Sequence, residues 1–480
     1  MAENGAPLSA GAAAPRPGRF APIALAAALA AAGLAGCESY SPLSLPDAPD
    51  LAASLPKVDA ARVRAAAPEL APHPLAARGP LDMTDIAILA VLENPELKAT
   101  RLKRKVARAQ AFSAGLLPDP QLIATLDPTT NFQPGVVPLG WAVGLQYDLQ
   151  SLVVHGAKKD AAQAAAEQVD LETLWQEWQA IQQARTLYVE LVEGRRKLDL
   201  LRQARTLYAR RYRESAAALA HGGVTIETTG PDLTSLLDLE SQTMQAERQL
   251  EQTRHELDAL LGIEPTVRLE LAGLSAPQAL APDVVARAMR GIAARRPDLL
   301  ALRAGYRAQE AMVREAILAQ FPSFSIGVQR ASDTTDVHTV GISLGIGLPL
   351  FNANRGEIAV QRATRAQLRQ EYQARLDRTY GAVDQLAENT ELLARQIAEI
   401  DAAMPELARM VAEAEHAYRH QDIATLSYLN LENSMVQKRI ERVDLEQALW
   451  SARIGLDTLL GWPEGDSMGG HAAPAAEPRS

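Results

Sequence analysis

The chain has 480 residues, enough for a large core, yet only 4% are aromatic, and its middle is rich in Ala, Leu, Glu, Gln and Arg. That vocabulary belongs to long helices that bury narrow seams. A formal net charge of −10, with both signs scattered, opposes a phosphate backbone and excludes nucleic acid as a partner class, while a single cysteine, Cys37, excludes an internal disulfide framework and a cysteine-based zinc site.

At the N-terminus, Arg16 and Arg19 precede an apolar run from Phe20 to Gly36 that ends Leu34-Ala35-Gly36-Cys37. Residues 1–36 read as a signal peptide closed by a lipobox: small residues admit the signal peptidase, and the Cys37 thiol is lipidated before becoming the mature N-terminus. The competing readings, an idle cysteine after a plain signal or a short transmembrane helix, fit less of the pattern. Residues 37–79 carry Pro42, Pro46, Pro49, Pro56, Pro68, Pro72 and Pro74 and read as an extended tether. No later segment supplies the ~20 uninterrupted apolar residues of a spanning helix, so any later crossing of a membrane requires a β-barrel.

The rest of the chain reads as two copies of one plan, residues 80–273 and 274–462. Leu257-Asp258-Ala259-Leu260-Leu261-Gly262 recurs as Leu456-Asp457-Thr458-Leu459-Leu460-Gly461, Asn94-Pro95-Glu96-Leu97 is answered by Arg296-Pro297-Asp298-Leu299, and Pro118 by Pro322. All three matches share a spacing of roughly 200 residues, the mark of a duplication. Each copy is expected to run helix, strand pair, very long helix, turn, helix. The opening helices are expected over about 84–117 and 282–320.

After each opening helix the period changes from helical to two. In the first copy, strands at about 121–149 set Trp141, Val143, Leu145, Tyr147 and Leu149 against Ala142, Gly144, Gln146 and Asp148, with Leu122, Ala124 and Leu126 as a weaker partner. In the second, at about 323–350, Phe324, Ile326 and Val328 and then Ile342, Leu344, Ile346, Leu348 and Leu350 alternate with Gly, Ser and Gln. Alternating segments of about ten residues are the transmembrane β-barrel signature, although a single such strand fits a soluble amphipathic sheet as well. Four strands are too few to close a barrel, and an open sheet leaves edge groups unpaired in lipid. Copies of the chain must therefore pool strands, eight in a dimer or twelve in a trimer, and the residues alone do not choose.

Long helices follow at about 156–220 and 356–419. Their partners carry heptad-like seams, Leu239, Thr243, Ala246, Leu250, Thr253, Leu257 and Leu260 in the first copy and Val436, Ile440 and Val443 in the second. Pro405 is expected to bend the second long helix, and Gly230-Pro231 to interrupt the start of the first return helix. The turns between the helices are His221-Gly222-Gly223-Val224-Thr225 and His420-Gln421-Asp422-Ile423-Ala424-Thr425. His416 and His420, one helical turn apart, read as a solvated pair because no third ligand is evident, and no metal site is assigned. Nucleotide, phosphate-loop, nucleophile-elbow and zinc-protease motifs are absent, so no enzyme, catalytic residue or cofactor is expected. Residues 463–480, ending in Gly, Ala, Pro and Ser, read as a disordered tail.

The lipobox, the duplicated order and the Leu-Asp-x-Leu-Leu-Gly ends together resemble the outer-membrane efflux family typified by TolC, over roughly residues 80 to 462. The resemblance implies a mixed α and membrane β fold: a homotrimer whose 12-stranded β-barrel continues into a long periplasmic α-helical barrel. It implies a passive exit duct working with a periplasmic adaptor and an inner-membrane pump, commonly of the resistance-nodulation-division type, for drugs or heavy-metal cations. Leu117-Pro118-Asp119-Pro120 and the run from Pro349 to Glu357 look like the heavy-metal branch. Glu38, in place of the aspartate that the family associates with inner-membrane retention, implies the outer membrane. In this reading Trp141, Val143, Leu145, Tyr147, Phe324, Ile326, Val328, Ile342, Leu344, Ile346 and Leu348 face lipid, and the two turns contact the adaptor. Gln421 stands where the family usually has Gly. The paired aspartates that gate some relatives are matched by Ser427 and Asn430, so an acidic gate is not carried over. The alternatives are an exit duct for type I protein secretion or a lipid-anchored periplasmic coiled coil that spans nothing.

Overall fold

The computed structural model describes residues 40–56, 58–66, 79–130 and 135–461. The chain divides into two units, Met1–Asp50 and Leu51–Ser480. Residues 40–50 of the first unit are exposed and irregular. Cys37 with its expected lipobox, and residues 463–480, lie outside the described residues.

The second unit runs α1 (Ala60–Ala66), α2 (Met83–Glu93), α3 (Pro95–Ala114), β1 (Gln121–Pro128), β2 (Leu139–Asp148), α4 (Leu149–Ala220), α5 (Ile226–Leu261), α6 (Pro282–Met289), a 3-10 turn (Ile292–Ala294), α7 (Pro297–Leu318), β3 (Ser323–Ser332), β4 (His338–Gly347), α8 (Arg355–Arg419) and α9 (Thr425–Leu460). At 1.5 Å per residue, α4 and α8 extend about 110 and about 100 Å.

Several boundaries differ from those read in the sequence. Each expected opening helix is broken. Asn94 caps α3 through its side chain, with Pro95 at the first helical position, and Pro297 likewise opens α7 after the 3-10 turn. A proline lacks the N–H that a helix interior needs but fits the first turn, so each Pro starts a new helix. The helix α4 begins at Leu149, capped by Asp148 accepting from Gln150 N, and Gly156 lies inside it. Strand β4 ends at Gly347, because Pro349 cannot donate to a ladder; Leu348 and Leu350 lie beyond it. Pro231 is inside an unbroken α5, five residues past its start, where only the Glu227 carbonyl loses its partner. Pro405 likewise lies within one continuous α8.

The helices pack through the expected seams. Leu239, Thr243, Thr253, Leu257 and Leu260 of α5 are buried against α4, and Val436, Ile440 and Val443 of α9 are buried in the second half. The N-terminal half of α4 instead meets α3 and α7: Arg104 Nε donates to Asp170 at 2.6 Å, Arg101 Nε to Glu177 at 2.8 Å, and Arg307 to Glu167 at 2.6 Å. Four antiparallel strands form one sheet in chain order, β2 of the first copy pairing with β3 of the second.

The thickest core sits where α2, α4 and α5 meet, around Ile86, Leu187, Tyr188, Leu257, Leu261 and Ile263. Each such fully buried large side chain contributes about 1.5–3 kcal/mol. The two repeat signatures converge there: Asn94 donates through Nδ2 to Leu260 O at 3.0 Å, just before the left-handed cap Gly262. The second copy repeats the junction with Gly461 against the Trp178 ring and Arg296 over the Trp175 ring. Residues 51–66, expected as extended tether, instead hold α1 and dock on this core. Ala52 forms a parallel bridge with Ile263, and Val63 is buried beside Ile88 and Val91. The apolar spacing of Val58 and Val63 on either side of the start of α1 allows burial that an all-polar tether could not have.

Tyr188 closes the junction. Its ring is 1% exposed, and its hydroxyl lies 2.7 Å from Ala272 O and 3.2 Å from Leu81 O, donating its proton to the nearer. Burial, reinforced by Asp82 and Asp85, pushes the phenol up to about 12. Tyr188→Phe is predicted to cost about 1–2 kcal/mol by leaving the Ala272 carbonyl without this donor. Denaturant melting of the solubilised protein reads this directly; an unchanged midpoint would mean the bond contributes nothing.

Candidate functional site

The sheet has two chemically distinct faces, and the cross-strand register fixes which residues share each. Leu122, Leu145, Val328 and Ile342 form one row, Tyr147, Ile326 and Leu344 another, and Phe324 pairs with Ile346. Further from the helices come Ala124, Val143, Arg330 and Val340, then Leu126, Trp141, Ser332 and His338. The ten strand residues read from the sequence as one apolar set therefore stand on one face. Val143, Leu145, Phe324, Ile326, Val328, Ile342, Leu344 and Ile346 are exposed, Leu344 to 73%, whereas Trp141 and Tyr147 are half-buried. Leu348 is exposed but past the strand. Val340 and Arg330 belong to the same face and were not singled out in the sequence, although continuing the alternation by one step reaches both.

The opposite face carries Gln121, Thr125, Asp127, Gln146, Asp148, Ser325, Gln329, Thr339, Ser343 and glycines, with Gln146 donating to Ser325 Oγ at 2.9 Å. Ile123 is its one large apolar side chain. A contiguous apolar face of this size is uncommon on a solvated protein and marks a surface that something else covers. Among the described residues the outer edges of β1 and β4 carry no strand partner, so both present unpaired backbone groups. Among the described residues no helix is long and apolar enough to cross a membrane.

The other end of the long helices carries the two turns. Gly222 has φ +72° and Gln421 φ +65°, so both turns use a left-handed residue at the matching position. Glycine adopts this φ freely, whereas Gln421 carries a steric cost of about 1–2 kcal/mol. In both, the third residue after the helix returns an N–H to a carbonyl five residues back, Gly223 to Ala218 at 2.8 Å and Asp422 to Ala417 at 2.9 Å. The substitution of Gln for Gly thus leaves the turn geometry intact. His221, Gly222, Gly223, His420, Gln421 and Asp422 are exposed at the two apices, with Val224, Thr225, Ile423, Ala424 and Thr425 leading into α5 and α9.

Just behind the turns the two coiled coils are tied together by residues the sequence did not reveal. Arg211 Nε donates to Asp232 at 2.6 Å, and Arg211 also bonds Asn430 Oδ1. Arg210 donates to the Tyr418 hydroxyl, and Asn433 to the Tyr208 hydroxyl, both at 3.0 Å. The Tyr418 and Tyr428 rings stack with centroids 5.2 Å apart. Asn430, one of the two positions where an acidic pair is lacking, is therefore a neutral acceptor for an arginine. His416 and His420 are exposed, with ring centroids 4.5 Å apart, and among the described residues no group of three or more His, Cys, Asp or Glu could hold a metal ion.

Midway along the helices, Arg196 bridges Glu193 of α4 and Glu446 of α9, and Arg442 joins Glu446 to Asp401 of α8. Burial raises the Glu193 carboxyl above its ordinary range, outweighing Arg196 and assisted by Glu446. A carboxyl raised in the fold favours the folded state when protonated, so this seam strengthens on acidification and weakens as pH rises through the raised value.

Residues 289–462 match the family model described as outer membrane efflux protein. Over 228 residues the chain is 27% identical to the multidrug resistance outer membrane protein MdtP of Escherichia coli (strain K12), covering 45% of this chain and 46% of that protein, about half the length of the relative. The fold is shared with solved structures. VceC, the outer membrane protein of Vibrio cholerae, aligns with a TM-score of 0.64 at 17% identity, over 79% of this chain and 96% of that one. CusC, described in terms of folding and transmembrane channel formation, aligns with a TM-score of 0.63 at 18% identity, over 79% and 92%.

Proposed function

We propose that this chain is a member of the TolC-like outer-membrane efflux family, as the match of residues 289–462 and the shared fold support, and that it serves as the outer-membrane subunit of a passive, trimeric exit duct. The observation that carries this reading is the four-stranded sheet: one face is exposed and apolar, the other is small and polar, both edges are open, and its strands connect to helices of about 100 Å. Three copies joined edge to edge would close a 12-stranded barrel with lipid outside and water within, satisfying every edge group. The same joining carries α4 and α8 and their partners into a helical tunnel.

The polar lining of Gln, Ser, Thr, Gly and the two separated carboxylates Asp127 and Asp148 supplies no catalytic constellation, so the duct acts by conducting. An adaptor at the two turns and an inner-membrane pump would load it, and selection would rest with that pump. The MdtP likeness favours drug-like solutes as cargo, while the Pro349–Glu357 run favours heavy-metal cations. Reconstitution in planar bilayers tests the duct: discrete conductance steps and heat-modifiable trimer migration are expected, and a monomer that stays in water and conducts nothing would overturn it.

Cys37 completes the proposal as an outer-membrane lipid anchor, on the strength of the Leu34-Ala35-Gly36-Cys37 sequence. Cys37→Ser is predicted to abolish incorporation of labelled fatty acid while leaving trimers intact. Label persisting in the variant would refute the anchor.

A further inference from the structure

The apolar face of the sheet carries one permanently charged side chain. Arg330 of β3 pairs across the strands with Val143 and Val340, in a row completed by Ala124, and every row on its helix side is built of Val, Leu, Ile, Phe and Tyr. It is exposed, and among the described residues no carboxylate lies within ion-pair distance of it. Its height on the sheet is informative. The strands join helices at one end and short loops at the other, and Arg330 lies two residues from the loop end of β3 at Ser332. The next row outward holds Trp141, Ser332 and His338, the mixed polar and aromatic composition of a membrane interface.

An unpaired guanidinium on a lipid-exposed face is costly at the bilayer centre, but near the rim its long stem lies along apolar surface while the charged head reaches the interface. Two residues of strand span about 7 Å, within reach of an arginine side chain. There the complementary group is a phosphate, which a planar guanidinium grips with two parallel hydrogen bonds. We propose that Arg330 forms, with Trp141 and His338 beside it, a binding site for the phosphate group of a membrane lipid at the loop-side rim of the barrel. In a duct whose helices fill the periplasm, that rim lies in the outer leaflet, so a trimer would hold three such lipids around its outer mouth. The proposal rests on the membrane-inserted reading of the sheet.

The test uses purified full-length trimer in nanodiscs doped with bisphosphorylated lipid A or its dephosphorylated form, with bound lipid counted by native mass spectrometry. Wild-type protein is expected to retain the phosphorylated lipid preferentially. Arg330→Gln should weaken that retention roughly fivefold per site, the worth of one basic residue against an anionic lipid surface. Arg330→Lys, which keeps charge but not the two-pronged geometry, should fall between. Equal retention by wild type and Arg330→Gln, or no preference for the phosphorylated lipid, overturns the proposal. Competition by millimolar inorganic phosphate would assign the site to free anions and equally overturns a lipid site. Conductance measured on the same preparations separates the two readings: conducting trimers without lipid preference sink this proposal alone, whereas failure to insert sinks both.

Discussion

Leu145→Arg and Leu344→Arg are each expected to stop the sheet from entering a membrane. Both residues stand on the apolar face, Leu145 in the row of Val328 and Ile342 and Leu344 in the row of Ile326, well away from the loop rim. A cation near the midplane of a membrane barrel costs about 2–4 kcal/mol, and a trimer would carry it three times. Arg330 does not contradict this expectation, because its row is one step nearer the rim than that of Leu145. The matched control is Gln146→Arg, on the opposite face beside Ser325. A charge there would meet water, so trimers should assemble in normal amounts. The measurement is the amount of heat-modifiable trimer in the outer-membrane fraction. Normal assembly of both leucine variants would show that this face does not meet lipid, and failure of Gln146→Arg alone would mean the faces had been assigned backwards.

The alternation that motivates those variants was legible because sheet geometry is local. A period of two places residues 324, 326 and 328 on one face whatever else the chain does. The helical seams were legible for the same reason, and Leu239, Thr243, Thr253, Leu257 and Leu260 are buried as their four-three spacing implied. Element ends were less so. Asn94 and Pro95 were noticed as half of a repeat signature, yet the same two residues also break the opening helix, since a proline that marks a family also starts a helix turn. The docking of residues 51–66 was missed because it depends on partners such as Ile263 and Val91, far along the chain, which no local period reports. The Gln421 turn shows the converse. Gln421 stands where the family usually has Gly, yet the Asp422 to Ala417 hydrogen bond and the flanking helices hold its φ at +65°.

The ties behind the turns were beyond sequence reading altogether, and they carry the second large expected effect. Arg211→Ala would remove the ion-pair partner of Asp232, a carboxylate whose side chain is 1% exposed, together with the bond to Asn430. Breaking one partner of a buried pair leaves an uncompensated charge and costs about 3–5 kcal/mol, far more than the net worth of the intact pair. Near the turns the side-chain bonds from α4 reach α8 through Arg210–Tyr418 and α9 through Arg211–Asn430 and Tyr208–Asn433, so the loss should appear as local opening of the helix ends while the core around Tyr188 stays folded. Hydrogen exchange should therefore quicken over residues 208–232 and 414–433 and remain slow over 184–191. Two companion variants separate charge from packing. Arg211→Lys keeps a cation near Asp232 and should restore most protection, and adding Asp232→Asn to Arg211→Ala should recover part of it by removing the stranded charge. In the proposed duct, the same loosening at the turn end of the helices would raise the open probability in planar bilayers. Exchange at the tips that stays as slow in Arg211→Ala as in the parent would show that the bonds of Arg210 to Tyr418 and of Asn433 to Tyr208, not the Arg211 pair, hold the two coiled coils together.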